Sequence, residues 1–148
     1  MARNSRELRC SPDAVFGVLA DGWLFPGWVV GATRLRGVDA SWPTPGARLH
    51  HSFGVWPLVL DDTTVSQGFD APRRMVLRAR GWPAGEAHIT IDVEPTVGGC
   101  RVTLTERVVS GPAMAVLAAL FDVPLRVRNT ETLRRLAWHA EGRAGSRR

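Results

Sequence analysis

The fold of this chain is decided in residues 28–62, which read WVVGATRLRGVDASWPTPGARLHHSFGVWPLVLDD. The stretch reads as three strands separated by two turns, a Pro- and Gly-rich segment at 43–46 and the pair Trp56-Pro57. Strands joined this closely pair with their neighbours along the chain. The sequence therefore predicts a curved antiparallel sheet built as a meander.

Further strands flank this stretch on both sides. The run 86–94 alternates apolar and polar residues, as a strand with one buried face does, and Gly98-Gly99 marks a hairpin turn after it. Pro72 and the segment 82–85 bound another strand. The predicted strands cover 4–10, 29–38, 47–54, 58–68, 73–81, 86–94 and 100–109.

Helices are predicted near both ends of the sequence. Ser11-Pro12-Asp13 has the residue types of a helix N-terminus, which predicts a helix over 14–20, and a second short helical piece begins at Phe25. Asp122 is expected to cap a long C-terminal helix that runs to about Glu141. Antiparallel strands with helices at the edges of the sequence indicate an α+β fold with the long helix covering one sheet face.

Composition limits the chemistry and the partners. The 148 residues fit one domain with a sizeable core, and all 19 basic residues are arginine. The absence of Lys and Tyr excludes a Schiff-base lysine and a phenolic acid. The net charge of +5 is spread through strands and helix rather than clustered, so we predict no nucleic-acid partner.

Sequence signals for location and cofactors are few. No apolar run approaches the length that spans a bilayer, and the start MARNSRELRC lacks the apolar core of a secretory signal. We therefore expect a cytoplasmic location and no stable membrane insertion. Glycine motifs for dinucleotides or phosphates do not occur, and the histidines and cysteines lack metal spacing, so no cofactor or metal is predicted.

Two polar residues are candidates for a site because they share a strand face with apolar neighbours. His51 alternates with Leu49 and Phe53, and Glu106 alternates with Leu104 and Val108. If those apolar residues point inward, a carboxyl and an imidazole line a pocket, where either would transfer a proton or hold a ligand hydroxyl. The alternative for Glu106 is a partly exposed strand-end carboxylate paired with an arginine.

The turns add a prediction about where a pocket opens. In a meander alternate turns lie at one end of the sheet, so Trp56-Pro57, Trp82-Pro83 and the end of the last strand are expected together. The apolar segment 113–125 begins there and would act as a lid. These groups either form a cavity entrance or plug the end of the sheet. Asn129 interrupts the apolar stripe of the long helix and would bind a ligand carbonyl or a neighbouring backbone group.

The element order and several sequence pieces resemble the SRPBCC superfamily, the START-like and polyketide cyclase/dehydrase-like proteins, and most of all its small bacterial members. The pieces include PGARLHHSFGVWPLVLDD, RRMVLRARGWPAGEAHITIDVEP and NTETLRRLAWHAEGR. The resemblance covers residues 3–142 as a single domain and leaves 143–148 as a disordered basic tail. It implies a helix-grip fold, in which about seven strands wrap around the C-terminal helix and two short helices lie between strands one and two. First and last strands pair in that fold, so Cys10 and Cys100 would be neighbours, either as two thiols or as a disulfide.

The resemblance also implies a cavity for an apolar small molecule such as a lipid, a polyketide or an aromatic metabolite. Three functions remain open: a carrier or sensor, a cyclase/dehydratase-type enzyme with Glu106 or His51 as proton shuttle, and a partner-binding module that is tested by Leu120→Glu. A monomer or weak homodimer is expected. The predicted ligand-binding residues are Trp28, His51, Phe53, Trp56, Leu77, Trp82, Ile91, Leu104, Glu106, Leu120, Leu125, Asn129 and Leu133.

Overall fold

A computed structural model describes residues 1–81, 85–109 and 112–146, without the side chains of 55, 81 and 112–121. The fold is α+β and of the helix-grip type: a curved seven-stranded antiparallel sheet, a long C-terminal helix and short helices between the first two strands. The elements are β1 (Ala2–Leu8), α1 (Pro12–Ala20), a 3-10 turn (Gly22–Leu24), α2 (Phe25–Trp28), β2 (Ala32–Val38), β3 (Arg48–Val55), β4 (Leu58–Asp70), β5 (Arg74–Gly81), β6 (Gly85–Thr96), β7 (Gly99–Val108) and α3 (Pro112–Gly145).

The sheet follows the predicted meander. Its strand order is β1-β7-β6-β5-β4-β3-β2, so β2 to β7 pair in chain order and β1 joins beside β7. Register shifts within β2 and near Gly68 in β4 bend the sheet. The concave face that results is covered by α3 and by the short helices, which carry the apolar side chains that fill the core.

The N-terminus of α1 forms as predicted. The Ser11 hydroxyl accepts a hydrogen bond from the backbone N–H of Ala14 at 3.2 Å, and Pro12 occupies the first turn, where its missing N–H has no partner to lose. The buried face of the helix consists of Val15, Phe16, Val18 and Leu19. Each such side chain stabilises the fold by about 1.5–3 kcal/mol when fully buried.

The C-terminal helix differs from the prediction. Asp122 does not begin a new helix, and 113–125 is not a separate segment, because α3 runs without a break from Pro112 to Gly145. Asp122 lies inside it and accepts from Arg126 Nε at 2.9 Å. Pro124 removes one backbone hydrogen bond but does not end the helix. Capping residues and proline are local signals, and here the continuation of the helix over the sheet outweighs them.

The helix also extends past its predicted end at Glu141. Residues 143–145, predicted as part of a disordered tail, belong to α3. Arg143 Nη2 donates to the Asp21 carboxylate at 2.9 Å, which ties this last turn to the end of α1. An ion pair between elements that lie far apart in sequence leaves no local sequence pattern. The sequence therefore predicted a helix end that is a few residues too early.

Cys10 and Cys100 are neighbours in the core. Cys100 pairs in register with Leu8 of β1, and both cysteines are buried free thiols. Burial, followed by the neighbouring Cys100, raises the pKa of the Cys10 thiol to about 12. Burial likewise raises the pKa of Cys100. Both therefore stay protonated at neutral pH and pack as small apolar groups.

Candidate functional site

A cavity of about 260 Å³ lies between the concave face of the sheet and the N-terminal half of α3. Most of its wall surface is apolar, although seven of the lining residues carry polar or charged side chains. This is the composition of sites that bind small molecules. The lining residues are Phe25, Val29, His51, Phe53, Asp62, Thr64, Ala79, Arg80, Gly85, Glu86, Ala87, Ile89, Glu106, Val108, Leu125 and Arg128.

Strand alternation brings these residues to one face. His51 and Phe53 project from β3, and their register partners Asp62 and Leu60 lie opposite them on β4. Ile89 of β6 pairs with Glu106 of β7, so the carboxylate sits beside an aliphatic wall. Because side chains repeat every second residue, β3, β4 and β7 each contribute two positions that lie two residues apart.

His51 is the buried polar group on one wall. The residue is 2% exposed, its ring lies 5.2 Å from the Phe25 ring, and its Nε2 is 2.8 Å from the Thr64 hydroxyl. Burial lowers the pKa of His51, so the imidazole is neutral at neutral pH. Its Nδ1 is buried and has no hydrogen-bond partner within the described part of the chain. This nitrogen is enclosed by the protein and does not open onto the cavity.

Glu106 is the buried polar group on the other wall. Its Oε2 accepts from Asn129 Nδ2 at 3.0 Å and from Arg128 Nη1 at 3.1 Å, and its Oε1 accepts from Arg128 at 3.3 Å. A carboxylate buried to this degree needs such donors to compensate for its lost hydration. The arginine partner, which the sequence left as an alternative, is present, but Glu106 is 6% exposed rather than partly exposed.

Arg128 joins three walls of the cavity. Its Nε donates to the Val30 carbonyl at 2.9 Å, and its guanidinium carbon lies 5.4 Å from the centre of the Phe53 ring. The stacked and hydrogen-bonded guanidinium is held in one position. Arg128 was not among the predicted site residues, although its neighbour Asn129, in the apolar stripe of the helix, was.

Asp62 is a second residue that the sequence reasoning passed over. It lines the cavity, while its neighbour Asp61 accepts from the Ser52 hydroxyl at 2.9 Å on the other face of β4. Burial raises the pKa of Asp62. Once His51 was placed on the inner face, counting in steps of two along the hairpin partner would have identified both Asp62 and Thr64.

The structure brings some of the predicted site residues together and separates others. His51, Phe53, Glu106 and Leu125 line the cavity. Asn129 lies behind Glu106. Leu77, Ile91, Leu104 and Leu133 are buried in the core cluster and do not line the cavity as described.

The tryptophans do not gather around the cavity as the sequence had suggested. Trp28 is buried at 3% exposure with its ring 5.4 Å from that of Phe25, and its indole N–H has no partner among the described residues. Trp56 is 86% exposed at the β3–β4 turn. Trp82 and the side chain of Leu120 lie outside the described residues.

Metal sites and membrane-spanning helices each require a recognisable arrangement of residues. Within 1–81, 85–109 and 112–146, no three His, Cys, Asp or Glu side chains are grouped as metal ligands. Nor does a helix in these ranges combine the length and apolar character needed to cross a membrane.

Solved structures share this fold across nearly the whole chain. The di-domain ARO/CYC protein StfQ from the steffimycin biosynthetic pathway is 13% identical with a TM-score of 0.77, and the similarity covers 97% of this chain and 51% of that one. DynU16 from the dynemicin biosynthetic locus is 16% identical with a TM-score of 0.69, covering 95% and 46%. NE0264 from Nitrosomonas europaea is 15% identical with a TM-score of 0.73, covering 95% and 94%.

These similarities show the fold, and the chain spans about half the length of StfQ and of DynU16. None of the curated protein sequences matches the chain. A family model covers nearly all of it, residues 2–141, under the description polyketide cyclase / dehydrase and lipid transport. With the helix-grip sheet, the long helix and the apolar cavity between them, the chain belongs to this polyketide cyclase/dehydrase and lipid transport family.

Proposed function

We propose that this protein binds an apolar small molecule in the cavity between the sheet and α3, as a carrier or sensor. The observation that carries the proposal is the cavity itself, whose mostly apolar walls carry the neutral side chain of His51 and the fixed guanidinium of Arg128. Membership of a family described by cyclase, dehydrase and lipid transport activities supports a role in small-molecule binding or conversion.

Cavity size limits the ligand. An engineered protein cavity of about 150 Å³ holds benzene, so a cavity of about 260 Å³ suits a molecule of roughly two fused rings or a chain of similar volume. Aromatic contact would come from Phe25 and Phe53, and polar substituents would meet His51 or Arg128. A planar ring system with a hydroxyl or keto group at its edge has this chemistry.

The test is native mass spectrometry of the protein purified from its own host, followed by denaturing extraction and identification of any released compound. Ala87→Phe fills the cavity from one wall, because Ala87 lines it. His88→Phe is the matched control, since the next residue of β6 projects to the opposite face. We expect a stoichiometric compound with the parent protein and with His88→Phe, and none with Ala87→Phe.

Equal occupancy in the two variants would place the compound elsewhere and contradict the proposal. So would a protein that purifies empty and whose melting temperature does not respond to a library of lipids and polyketides. Both variants are first compared by circular dichroism, so that loss of folding is not mistaken for loss of binding.

A second candidate function is a cyclase or dehydratase, and the neutral imidazole of His51 at the cavity wall favours it. A neutral imidazole at the cavity wall is able to accept a proton from a substrate, and the walls would orient a reactive chain. Glu106 suits this role less, because three hydrogen bonds from Arg128 and Asn129 already hold both of its oxygens.

The two candidates differ in what His51→Gln does. A carrier would co-purify with the same compound before and after the substitution. An enzyme whose proton transfer is blocked would instead co-purify with an unconverted precursor, heavier by one molecule of water in the case of a dehydratase. His50→Gln is the control, since His50 lies on the other face of β3 with its Nε2 3.0 Å from Asp39.

A further inference from the structure

A cationic group in the cavity wall is fixed in place and still has a free donor. The guanidinium of Arg128 donates from Nε to the Val30 carbonyl at 2.9 Å and from Nη1 to Glu106 Oε2 at 3.1 Å. Its central carbon lies 5.4 Å from the centre of the Phe53 ring. Nη2 donates to no described residue, and the protein does not enclose it as it encloses the Nδ1 of His51. Because Arg128 lines the cavity, Nη2 is the donor that a bound molecule would reach.

Other polar side chains of the wall have less to offer a ligand. The hydroxyl of Thr64 and the Nε2 of His51 lie 2.8 Å apart, so each already has a partner. Arg80 is 66% exposed and pairs with Glu86 at 3.3 Å, which places it at the hydrated rim of the cavity. Arg128, with 22% of its side chain exposed, is therefore the cation that a ligand inside the cavity meets.

The charges that line the cavity do not favour an anion. They comprise three carboxylates and two guanidiniums, those of Asp62, Glu86, Glu106, Arg80 and Arg128. Each of the two guanidiniums already faces a carboxylate. Burial lowers the pKa of His51, so the imidazole adds no charge at neutral pH. Residues 82–84 and 110–121 have no charged side chain in the sequence, so they do not alter this count.

Arginines close to the cavity leave the count unchanged. Those that alternate with lining residues along β3, β5 and β7 face the outer side of the sheet, namely Arg48, Arg78 and Arg107. Two more are paired with carboxylates, Arg36 with Asp61 at 3.6 Å and Arg126 with Asp122 at 2.9 Å. Charges on the outer side are separated from the cavity by the sheet and are screened by solvent.

A carboxylate and a carbonyl group would fare differently beside Arg128. A carboxylate loses strong hydration when it enters an apolar cavity, and only a cation that is not already compensated replaces that hydration. The guanidinium of Arg128 shares its charge with Glu106, so a second carboxylate at Nη2 would be repelled by the first. An uncharged carbonyl oxygen loses less hydration and gains a charge-assisted hydrogen bond.

We propose that the cavity selects an uncharged molecule whose carbonyl oxygen, as in a ketone, an aldehyde or an ester, accepts a hydrogen bond from Nη2 of Arg128, in preference to a carboxylate of the same size. Glu106 is then a specificity determinant, because it compensates the charge of the guanidinium. The inference rests on the proposed function, since it requires a ligand in the cavity, and it adds the chemical class of that ligand's polar group.

Three naphthalene probes of nearly equal size test the proposal. 2-Ethylnaphthalene has no polar group, 2-acetylnaphthalene has a carbonyl oxygen, and 2-naphthoate is an anion at neutral pH. Equilibrium dialysis measures the affinity of the full chain for each of them. We expect 2-acetylnaphthalene to bind about tenfold or more tightly than 2-naphthoate, the difference that a hydrogen bond to a charged group makes.

Glu106→Gln removes the compensating charge while an amide oxygen remains to accept from Arg128. We expect this variant to bind 2-naphthoate about tenfold more tightly than the parent protein does, with little change for 2-acetylnaphthalene. Asp92→Asn is the matched control, because it removes one negative charge from the outer face of the sheet, where Asp92 pairs with Arg74 at 2.6 Å. Its affinity for 2-naphthoate should equal that of the parent protein.

Glu106→Gln/Arg128→Met removes both charges and leaves the net charge of the chain unchanged. This variant should lose about tenfold in affinity for 2-acetylnaphthalene, because the donor is gone, and should bind 2-ethylnaphthalene as the parent protein does. Circular dichroism first establishes that each variant is folded. The ratio of the ketone and naphthoate affinities in the parent protein decides the question even where a variant does not fold.

The outcomes separate this inference from the proposed function. Binding of none of the three probes by the parent protein would contradict both, because the cavity would then not admit molecules of this size. Binding of 2-ethylnaphthalene together with equal or tighter binding of 2-naphthoate than of 2-acetylnaphthalene would leave the cavity as a binding site and overturn the inference. Equal 2-naphthoate affinities in Glu106→Gln and Asp92→Asn would also overturn it.

Discussion

At the residue scale, the buried polar groups around the cavity differ in whether their hydrogen-bonding atoms have partners. Glu106 is held by Arg128 and Asn129, whereas the Nδ1 of His51 is left without a partner. Paired groups of this kind organise a site, whereas an unpaired buried nitrogen costs free energy until it gains a partner. Each state leads to a measurable consequence.

Removing one partner of the buried Glu106–Arg128 ion pair is expected to destabilise the fold far more than removing both partners together. Glu106→Leu leaves the guanidinium of Arg128 without its carboxylate and should lower the free energy of unfolding by about 3 kcal/mol. Glu106→Leu/Arg128→Met should lower it by less than the sum of the single substitutions. Urea unfolding of the four proteins measures the coupling.

Arg74 and Asp92 supply the control for that cycle, because their 2.6 Å ion pair is exposed on the outer face of the sheet. Exposed pairs contribute about 0–1 kcal/mol, so their coupling should be small. A coupling between Glu106 and Arg128 no larger than this control would show that the buried network does not hold the cavity wall together.

His51 should make stability depend on pH. Its pKa is about 6.5 in an unfolded chain, and burial lowers it in the fold. Between those two values the unfolded chain binds a proton that the folded protein does not. The contribution is therefore fully present above pH 6.5 and is lost as the pH falls toward the lower, folded pKa.

Chemical denaturation between about pH 5 and 7.5 checks this. His51→Asn should show a shallower fall in stability over this range than the parent protein does, whereas His50→Asn should not. Asp62, whose pKa burial raises, acts in the opposite sense at lower pH and is unchanged in all three proteins. Identical slopes for parent and His51→Asn would contradict the assignment of a neutral, buried imidazole.

At the scale of elements, strands were predicted well and the long helix less well. Strand alternation and turn residues are local properties, so all seven strands lie where the sequence placed them, to within a few residues. α3 was divided at Asp122 because an acidic cap followed by proline is a common helix start. The helix continues through both residues, because Pro124 removes only one of its backbone hydrogen bonds.

Pro124 should therefore be a weak point of α3. Pro124→Ala restores a backbone donor and should raise the free energy of unfolding by about 2 kcal/mol, which is less than the roughly 3 kcal/mol that a proline costs in a helix interior because the unfolded chain also gains freedom. Pro112→Ala, at the first position of the helix, should change little. Thermal unfolding compares the variants, and a lower melting temperature for Pro124→Ala would show that the proline geometry is needed here.

At the scale of the whole molecule, the contact between β1 and β7 joins the first strand of the sequence to the last. Seven register pairs connect them, from Ala2 with Glu106 to Leu8 with Cys100. At the end of this contact Gly99 lies against the backbone carbonyl of Leu8, so that a Cβ atom would overlap it. The atoms in the way are backbone atoms of Leu8 and Arg9, which cannot move aside without shifting the end of β1.

Gly99→Ala is therefore expected to destabilise the fold by about 3 kcal/mol or more, as a backbone clash in a packed sheet does. Gly142→Ala is the control, because nothing lies within 4 Å of its added methyl group, and alanine there should stabilise α3 by up to about 1 kcal/mol. Denaturant midpoints measure both. Similar midpoints for the two variants would mean that β1 shifts without cost.

The sequence by itself determined the order of the strands, the α+β class and the inward faces of β3 and β7, because alternation and turn residues act over a few positions. It thereby placed His51, Phe53 and Glu106 on the cavity side. Tertiary structure alone decided their partners. Arg128 reaches Glu106 across 22 positions, Thr64 meets His51 across the β3–β4 hairpin, and Trp56 is left exposed at the turn between these strands. These contacts depend on how far the sheet curves and where α3 crosses it, and such geometry arises only when the whole chain packs.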